Sequence, residues 1–412
     1  METPLNDTQA TSDPAPMPPL RFGSFMAPYH HIDGNAALQI RRDLELVQLL
    51  DELGYDEAWF GEHHSGGYEI IASPELMIAA AAERTKRIRL GTGVNSVPFH
   101  HPLILADRLN QLDYMTMGRF IAGFGPGQLP SDVHMMGMEN DWMRDRMTQA
   151  LDAIVPLLRG GTVTCKTDWF ELREAKLQLG PYTPGGIDMT IASVFTPTGA
   201  TLAGKHGLGI LSLAAAHKFA QSKLMDNWAA YERSAAAHGN PSNRRDWRVL
   251  GIMHLADTKE QAIRDVEWGF QRYQRMHEDL YGGTFDWKSP QDAVRYWIEN
   301  GVGSWGTPII GTPADAIEAI EFLQKLTGGF GTFLISSNQS ATWSATKHSW
   351  ELFAEYVIPH FRGFPAVRQA SADWVHANNA MLISSRQASI AAVNAKFAGV
   401  GAPTAPDPQK AG

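Results

Sequence analysis

The sequence predicts an α/β fold, a (β/α)8 TIM barrel built as a single domain with an inserted hairpin and a long active-site loop. Three observations carry that expectation. From residue 20 onward, short β-branched or apolar runs alternate with longer segments of helical period, the pattern of repeated βα units around a parallel sheet. Eight such runs are present, which favours a closed barrel over an open doubly wound sheet. Between them stand helix start signals, Ser73 before Pro74 and Thr312 before Pro313, each an N-cap followed by proline at the first helical position.

Residues 1–19 hold five prolines among Thr, Ser, Asp and Asn and offer nothing to bury, so they read as a disordered tail. The barrel is expected over residues 20–362, starting with a strand from Arg21 to Met26. Asn35 can cap the first helix, whose apolar positions Ala37, Ile40, Leu44, Val47 and Leu50 recur every three or four residues until Gly54 ends it. Further strands are predicted at 57–61, 88–94, 119–124, 188–193, 208–213, 248–254 and 332–335. Two segments fall outside the repeat. Residues 162–179, rich in Val, Thr, Trp and Phe, predict a hairpin, and 274–310, with Gly282-Gly283, Gly301, Gly303 and Gly306, predict a long connection of the kind that serves as a lid. Residues 363–412 predict one more helix and a loose tail.

Composition narrows the function classes. A hydrophobic share of 44% supplies a sizeable core. With 35 Lys plus Arg against 44 Asp plus Glu, a net charge of −9 and no basic cluster, neither nucleic acid nor an anionic membrane surface is an expected partner. A small molecule is. The single cysteine, Cys165, excludes an internal disulfide and Cys-rich metal centres and fits a reducing cytoplasm. No stretch approaches the roughly 18 apolar residues of a membrane helix, and neither an export signal nor an anchor is expected.

Polar residues at the C-terminal ends of barrel strands have the strongest claim to function. The second strand runs into Glu62-His63-His64, where His63 is the leading acid–base candidate because an imidazole titrates near neutral pH. The competing reading is that either histidine merely packs at the mouth and bonds a backbone carbonyl. His30-His31, His63-His64 and His100-His101 could in principle supply one ligand each to a metal, but HxH and HExxH spacings are absent and no metal is expected. The fourth strand ends in Gly123-Phe124-Gly125-Pro126-Gly127, where missing side chains let a flat ligand approach the backbone at Gly125. It is not a Rossmann fingerprint. After the fifth strand, Ser193, Thr196 and Thr198 lead into a helix, so hydroxyls and free N–H groups there suit a phosphate, with ordinary N-capping as the alternative. Met26, Phe60, Phe99, Phe195 and Trp305 are the candidates for an apolar substrate pocket.

The motifs Arg21-Phe22-Gly23-Ser24-Phe25, Gly54 through His64, Arg89-Leu90-Gly91-Thr92-Gly93-Val94 with His101-Pro102, and Leu112-Asp113 with Gly118-Arg119-Phe120 resemble the bacterial luciferase-like flavin monooxygenases. Ser65 through Glu75 and Thr167 through Arg173 are most similar to the limonene monooxygenase-type members. The resemblance implies reduced FMN, with FAD the alternative, delivered by a separate NAD(P)H-dependent reductase. Dioxygen is then the co-substrate, a flavin 4a-(hydro)peroxide the oxidant and a terpene-like alkene or ketone the acceptor. It further implies His63, beside Glu62, as catalytic acid/base, a non-proline cis peptide at Gly93-Val94 facing the flavin, a mobile lid over 274–310, and a homodimer. A deazaflavin-dependent oxidoreductase, a non-catalytic flavin-binding protein and a metal hydrolase are the rival readings. Where the luciferases place a cysteine and a phosphate-binding arginine, this chain has Gly125 and Pro126.

Overall fold

The computed structural model describes residues 19–26, 29–194, 196–213, 218–282, 289–300 and 308–398. They form two compact units, one up to Phe361 and one from Arg362 onward. The first begins with β1 (Arg21–Met26), α1 (Ala36–Leu53), β2 (Glu57–Phe60), α2 (Pro74–Ala82), β3 (Arg89–Thr92), the two-residue β4 (Asn95–Ser96), α3 (Pro102–Met115) and β5 (Phe120–Gly125). After α4 (Pro130–Met135) and α5 (Trp142–Leu158), an antiparallel hairpin of β6 (Val163–Lys166) and β7 (Glu171–Ala175) is inserted, as its β-branched and aromatic content predicts. The repeat resumes with β8 (Asp188–Ser193), α6 (Thr198–His206), β9 (Gly209–Leu213), α7 (Lys218–Ala237) and β10 (Trp247–Leu255). It closes with α8 (Lys259–Tyr281), α9 (Pro290–Asn300), β11 (Ile309–Gly311), α10 (Pro313–Thr327), β12 (Thr332–Ser336), α11 (Trp343–Leu352) and α12 (Ile358–Phe361).

All eight predicted strands form, and they pair in parallel in the order β1-β2-β3-β5-β8-β9-β10-β12, with β12 returning to β1. This is a closed (β/α)8 barrel. The short β4 and β11 are additions on β5 and β10. The start signals act as read: Asn35, Ser73 and Thr312 each accept a hydrogen bond from the third residue beyond, and Gly54 closes α1 at φ +84°.

Strand alternation sorts the apolar residues into two layers. Phe25, Trp59, Ile121, Leu211, Leu250 and Leu334 fill the barrel, while Phe22, Met26, Ala58 and Phe60 pack outward beneath the helices. The indole of Trp59 occupies space left by Gly91, where a Cβ would lie 2.5 Å from the ring. Below it the N-terminal end is plugged by charge. Arg248, fully buried, donates to both oxygens of Glu57 at 2.9 and 3.2 Å and to Asp188 at 2.7 Å, and Arg89 reaches Asp188 at 2.9 Å. Burial alone would raise the Asp188 carboxyl, but Arg248 and Arg89 hold it down at about 2. At this end of a barrel such a cluster serves stability rather than catalysis.

The segment 274–310 departs from expectation. Its described part is largely helical: α8 continues to Tyr281 and α9 spans 290–300, with Val266, Phe270, Tyr273 and Trp297 buried in a shared aromatic core. The glycines at 282–283 and 301–306 masked two amphipathic stretches on either side of them. The second unit also differs, carrying two helices, α13 (Phe364–Ala377) and α14 (Asn379–Phe397), separated at Asn378, and no residue of either is buried. Among the described residues, no helix is long and apolar enough to cross a membrane.

Candidate active site

A cleft of about 300 Å³ opens at the C-terminal mouth of the barrel. Its wall brings together seven of the residues singled out from sequence: Glu62 and His63 after β2, Gly93 and Val94 after β3, and Ser193, Thr196 and Thr198 at the β8–α6 turn. The Gly93–Val94 peptide is cis.

His63 is held from both sides. Its Nδ1 lies 3.1 Å from Asp132 Oδ2 and its Nε2 lies 2.6 Å from Glu69 Oε2. Two elements supply these carboxylates. Asp132 comes from the first turn of α4 and is itself fixed by the His64 N–H at 3.1 Å and by the Ser65 hydroxyl. Glu69 belongs to the loop after β2, which reverses through Gly66 and Gly67 at φ +83° and +75°, a conformation costly for any residue with a Cβ. Tyr29 then bridges to Glu69, and the His30 N–H donates to Tyr68 O at 2.7 Å. Burial alone would lower the His63 imidazole, but the Glu69 charge and the hydrogen bonds to Asp132 and Glu69 push it up to about 10.

Glu62 is committed elsewhere. Its Oε1 accepts from His64 Nε2 at 3.0 Å and His100 Nε2 at 2.8 Å, and its Oε2 accepts from the Ser96 N–H at 2.6 Å. Arg108 lies 3.1 Å from the far nitrogen of His100. Against a burial penalty that raises it, His100 and His64 hold the Glu62 carboxyl down at about 2. Glu62 thus ties the end of β2 to the loop after β3, and its bonds position the walls around His63.

The β8–α6 turn also lines the cleft, through Ser193, Thr196, Thr198 and Gly199. Helix α6 begins at Thr198 with no side-chain cap on its free N–H groups, so the capping alternative is not the one adopted. Ser193 Oγ donates to Thr196 O at 3.3 Å, and Asn227 of α7 donates to the carbonyls of Ser193 and Val194, fixing the turn. At Gly199 a Cβ would stand 2.1 Å from Ala192 O, so only glycine lets the helix start this close to the strand. Arg144 of α5 lines the same cleft, and its guanidinium donates to Gln128 Oε1 at 3.0 Å. Sequence reasoning missed Arg144, which carries no local motif and sits about fifty positions before the turn with which it shares the cleft. It missed Asp132 and Glu69 as well, although an acid six residues past a candidate histidine, behind a Gly-Gly turn, was a usable signal.

Other expectations need correction. Gly125 does not line the cleft; its missing side chain makes room for Val94, whose Cγ2 a Cβ would approach to 2.3 Å. Met26 and Phe60 belong to the outward core, because strand alternation turns their neighbours Phe25 and Trp59 inward instead. Phe99 packs edge-on against His64 at 5.7 Å, beside the cleft rather than in its wall. Phe195 and Trp305 lie outside the described residues. Among the described residues, no group of three His, Cys, Asp or Glu side chains is arranged to hold a metal ion.

The luciferase-like monooxygenase family model matches residues 20–328. The chain is 46% identical over 342 residues to limonene 1,2-monooxygenase of Rhodococcus erythropolis, covering 83% of this chain and 87% of that protein. It is 42% identical over 359 residues to 4-hydroxyprotoasukamycin monooxygenase of Streptomyces nodosus subsp. asukaensis, covering 86% and 96%. Among solved structures, the oxygenating constituent of 3,6-diketocamphane monooxygenase from Pseudomonas putida, a type II Baeyer–Villiger enzyme in complex with FMN, superposes with a TM-score of 0.68 at 22% identity. That likeness, over 83% of this chain and 98% of the other, concerns the fold alone.

Proposed function

The chain belongs to the luciferase-like monooxygenases, a family of oxidoreductases, and from that premise we propose that it uses reduced FMN and dioxygen to insert one oxygen atom into a small hydrophobic substrate. The carrying observation is the cleft itself, whose wall holds both an uncapped helix start with its hydroxyls and an imidazole clamped between two carboxylates. Ser193, Thr196, Thr198, Arg144 and the start of α6 would hold the phosphate, and Gly93 and Val94 would meet the ring system. Bound reduced FMN supplies two electrons; one oxygen atom enters the substrate and the other leaves as water with two protons.

The residues of the chain do the rest. His63 delivers a proton at the reacting end of the cleft, and Asp132 fixes the ring's orientation. Glu62 keeps the β2 and β3 ends in register around it. Val94, Leu129 and Met147 line the cleft with apolar surface that excludes water from the reaction. The names of the relatives, a limonene and a diketocamphane monooxygenase, support a terpene-like alkene or ketone as substrate, and a separate NAD(P)H-dependent flavin reductase would supply the reduced FMN.

The test is anaerobic titration with reduced FMN, followed by a panel of terpene alkenes and cyclic ketones assayed with a generic flavin reductase. Binding of one reduced FMN per chain and oxygen-dependent turnover of a panel member are expected. Turnover that continues without oxygen would favour deazaflavin-type hydride transfer, and absence of reduced-flavin binding would end the reading.

A further inference from the structure

Glu69 distinguishes this site from a simple carboxylate–imidazole pair. With Asp132 alone at Nδ1, His63 would carry its proton there and leave Nε2 free to accept another, the arrangement of a general base. A carboxylate only accepts hydrogen bonds, so a second one, 2.6 Å from Nε2, requires that nitrogen to carry a proton as well. We propose that Glu69 is a positioning residue that locks His63 as a doubly protonated imidazolium, converting a histidine poised as a base into a dedicated proton donor. The proposal rests on the reading of His63 as the acid of the oxygenation site.

The surroundings favour this state. The Asp132 carboxylate is stabilised by the His64 N–H and the Ser65 hydroxyl, and so stays an acceptor towards His63. His64 is engaged with Glu62, and Arg144 lines the same cleft. From α8, His277 faces Glu69, but burial holds its imidazole down at about 4, so it is neutral and the charge opposite Glu69 is that of His63. Asp279 of α8 accepts from the Tyr68 hydroxyl, anchoring the residue next to Glu69. Loop and helix thus hold the carboxylate against the ring. A ring held this way can give a proton and has no lone pair with which to take one.

The test is ¹⁵N-histidine NMR on the full-length protein without flavin, from pH 6 to 10, on wild type, Glu69→Gln and Glu69→Asp. Wild-type His63 should show both ring nitrogens protonated through pH 8. Glu69→Gln keeps the shape and an acceptor oxygen but removes the charge, and should lower the His63 midpoint by about 1–3 pH units. Glu69→Asp should retain more of the wild-type midpoint than Glu69→Gln does. The alkaline limb of turnover should move with the midpoint, while the Kd for FMN stays within about twofold. A wild-type His63 that is singly protonated at pH 7.5, or a Glu69→Gln midpoint equal to wild type, overturns the proposal. Because the titration is read on the protein alone, failure to bind reduced FMN would sink the functional reading and leave this result standing.

Discussion

Replacing Arg144 with Met tests whether its part of the cleft wall receives the FMN phosphate. The guanidinium lines the same cleft as Ser193, Thr196 and Thr198 and donates to Gln128 Oε1, which is also part of the cleft wall. A hydrogen bond to a charged group contributes about 1.5–3 kcal/mol, and each 1.36 kcal/mol is a factor of ten, so the Kd for FMN should rise about 10- to 150-fold. Riboflavin shares the ring and ribityl chain but lacks the phosphate. Its Kd should stay within about twofold, leaving the ratio of the two constants as the readout of where the arginine acts. The assay is fluorescence titration of both flavins at fixed ionic strength, since a charge contact at a partly open cleft weakens with salt. Equal losses for FMN and riboflavin, or no loss for either, would refute the assignment of Arg144 to the phosphate.

Glu57→Gln should leave the buried Arg248 without its bidentate partner and cost about 3–5 kcal/mol in denaturant unfolding. Because the cluster lies at the far end of the barrel, FMN affinity of the folded fraction should be unchanged. Met26→Ala should cost about 2–5 kcal/mol as a core cavity without altering substrate preference; a changed preference would return Met26 to the pocket wall. Stability should also depend on pH at both extremes. The Glu62 carboxyl is held at about 2, below its ordinary 4.5, so its contribution is full above about 4.5 and lost as pH falls towards 2. The His63 imidazole is held at about 10, above its ordinary 6.5, so its contribution is full below 6.5 and lost as pH rises through 10. Thermal unfolding across pH 3–10 checks both, and a His63→Ala variant that keeps the whole alkaline loss would contradict the second.

Alternating periods made the barrel readable, because eight buried parallel strands leave apolar runs that the helices between them do not imitate. The phase of those strands was harder to read. When both faces of a strand are apolar, Met26 and Phe25, or Phe60 and Trp59, look alike in sequence, and only closure of the barrel decides which faces inward. Glycines misled in the segment 274–310, where Ala262, Val266, Phe270 and Tyr273 already mark one buried helical face leading into it. At the site, His63, Glu62 and the Ser193–Thr198 turn were legible because each sits where a strand ends. Arg144 and Asp132 were not, since packing of α5 brings the one to the cleft wall and packing of α4 sets the other against His63, and no local pattern records either.

The central claim, oxygen insertion in this cleft under the control of His63, is tested most directly by isotope. Wild type and His63→Ala are supplied with reduced FMN, ¹⁸O₂ and the panel substrate that turns over, and the label in product and water is measured. One ¹⁸O per product molecule and one in water are expected for wild type, with product formation falling about 10²–10⁴-fold in His63→Ala. Unlabelled product, or a variant within threefold of wild type, would contradict the account.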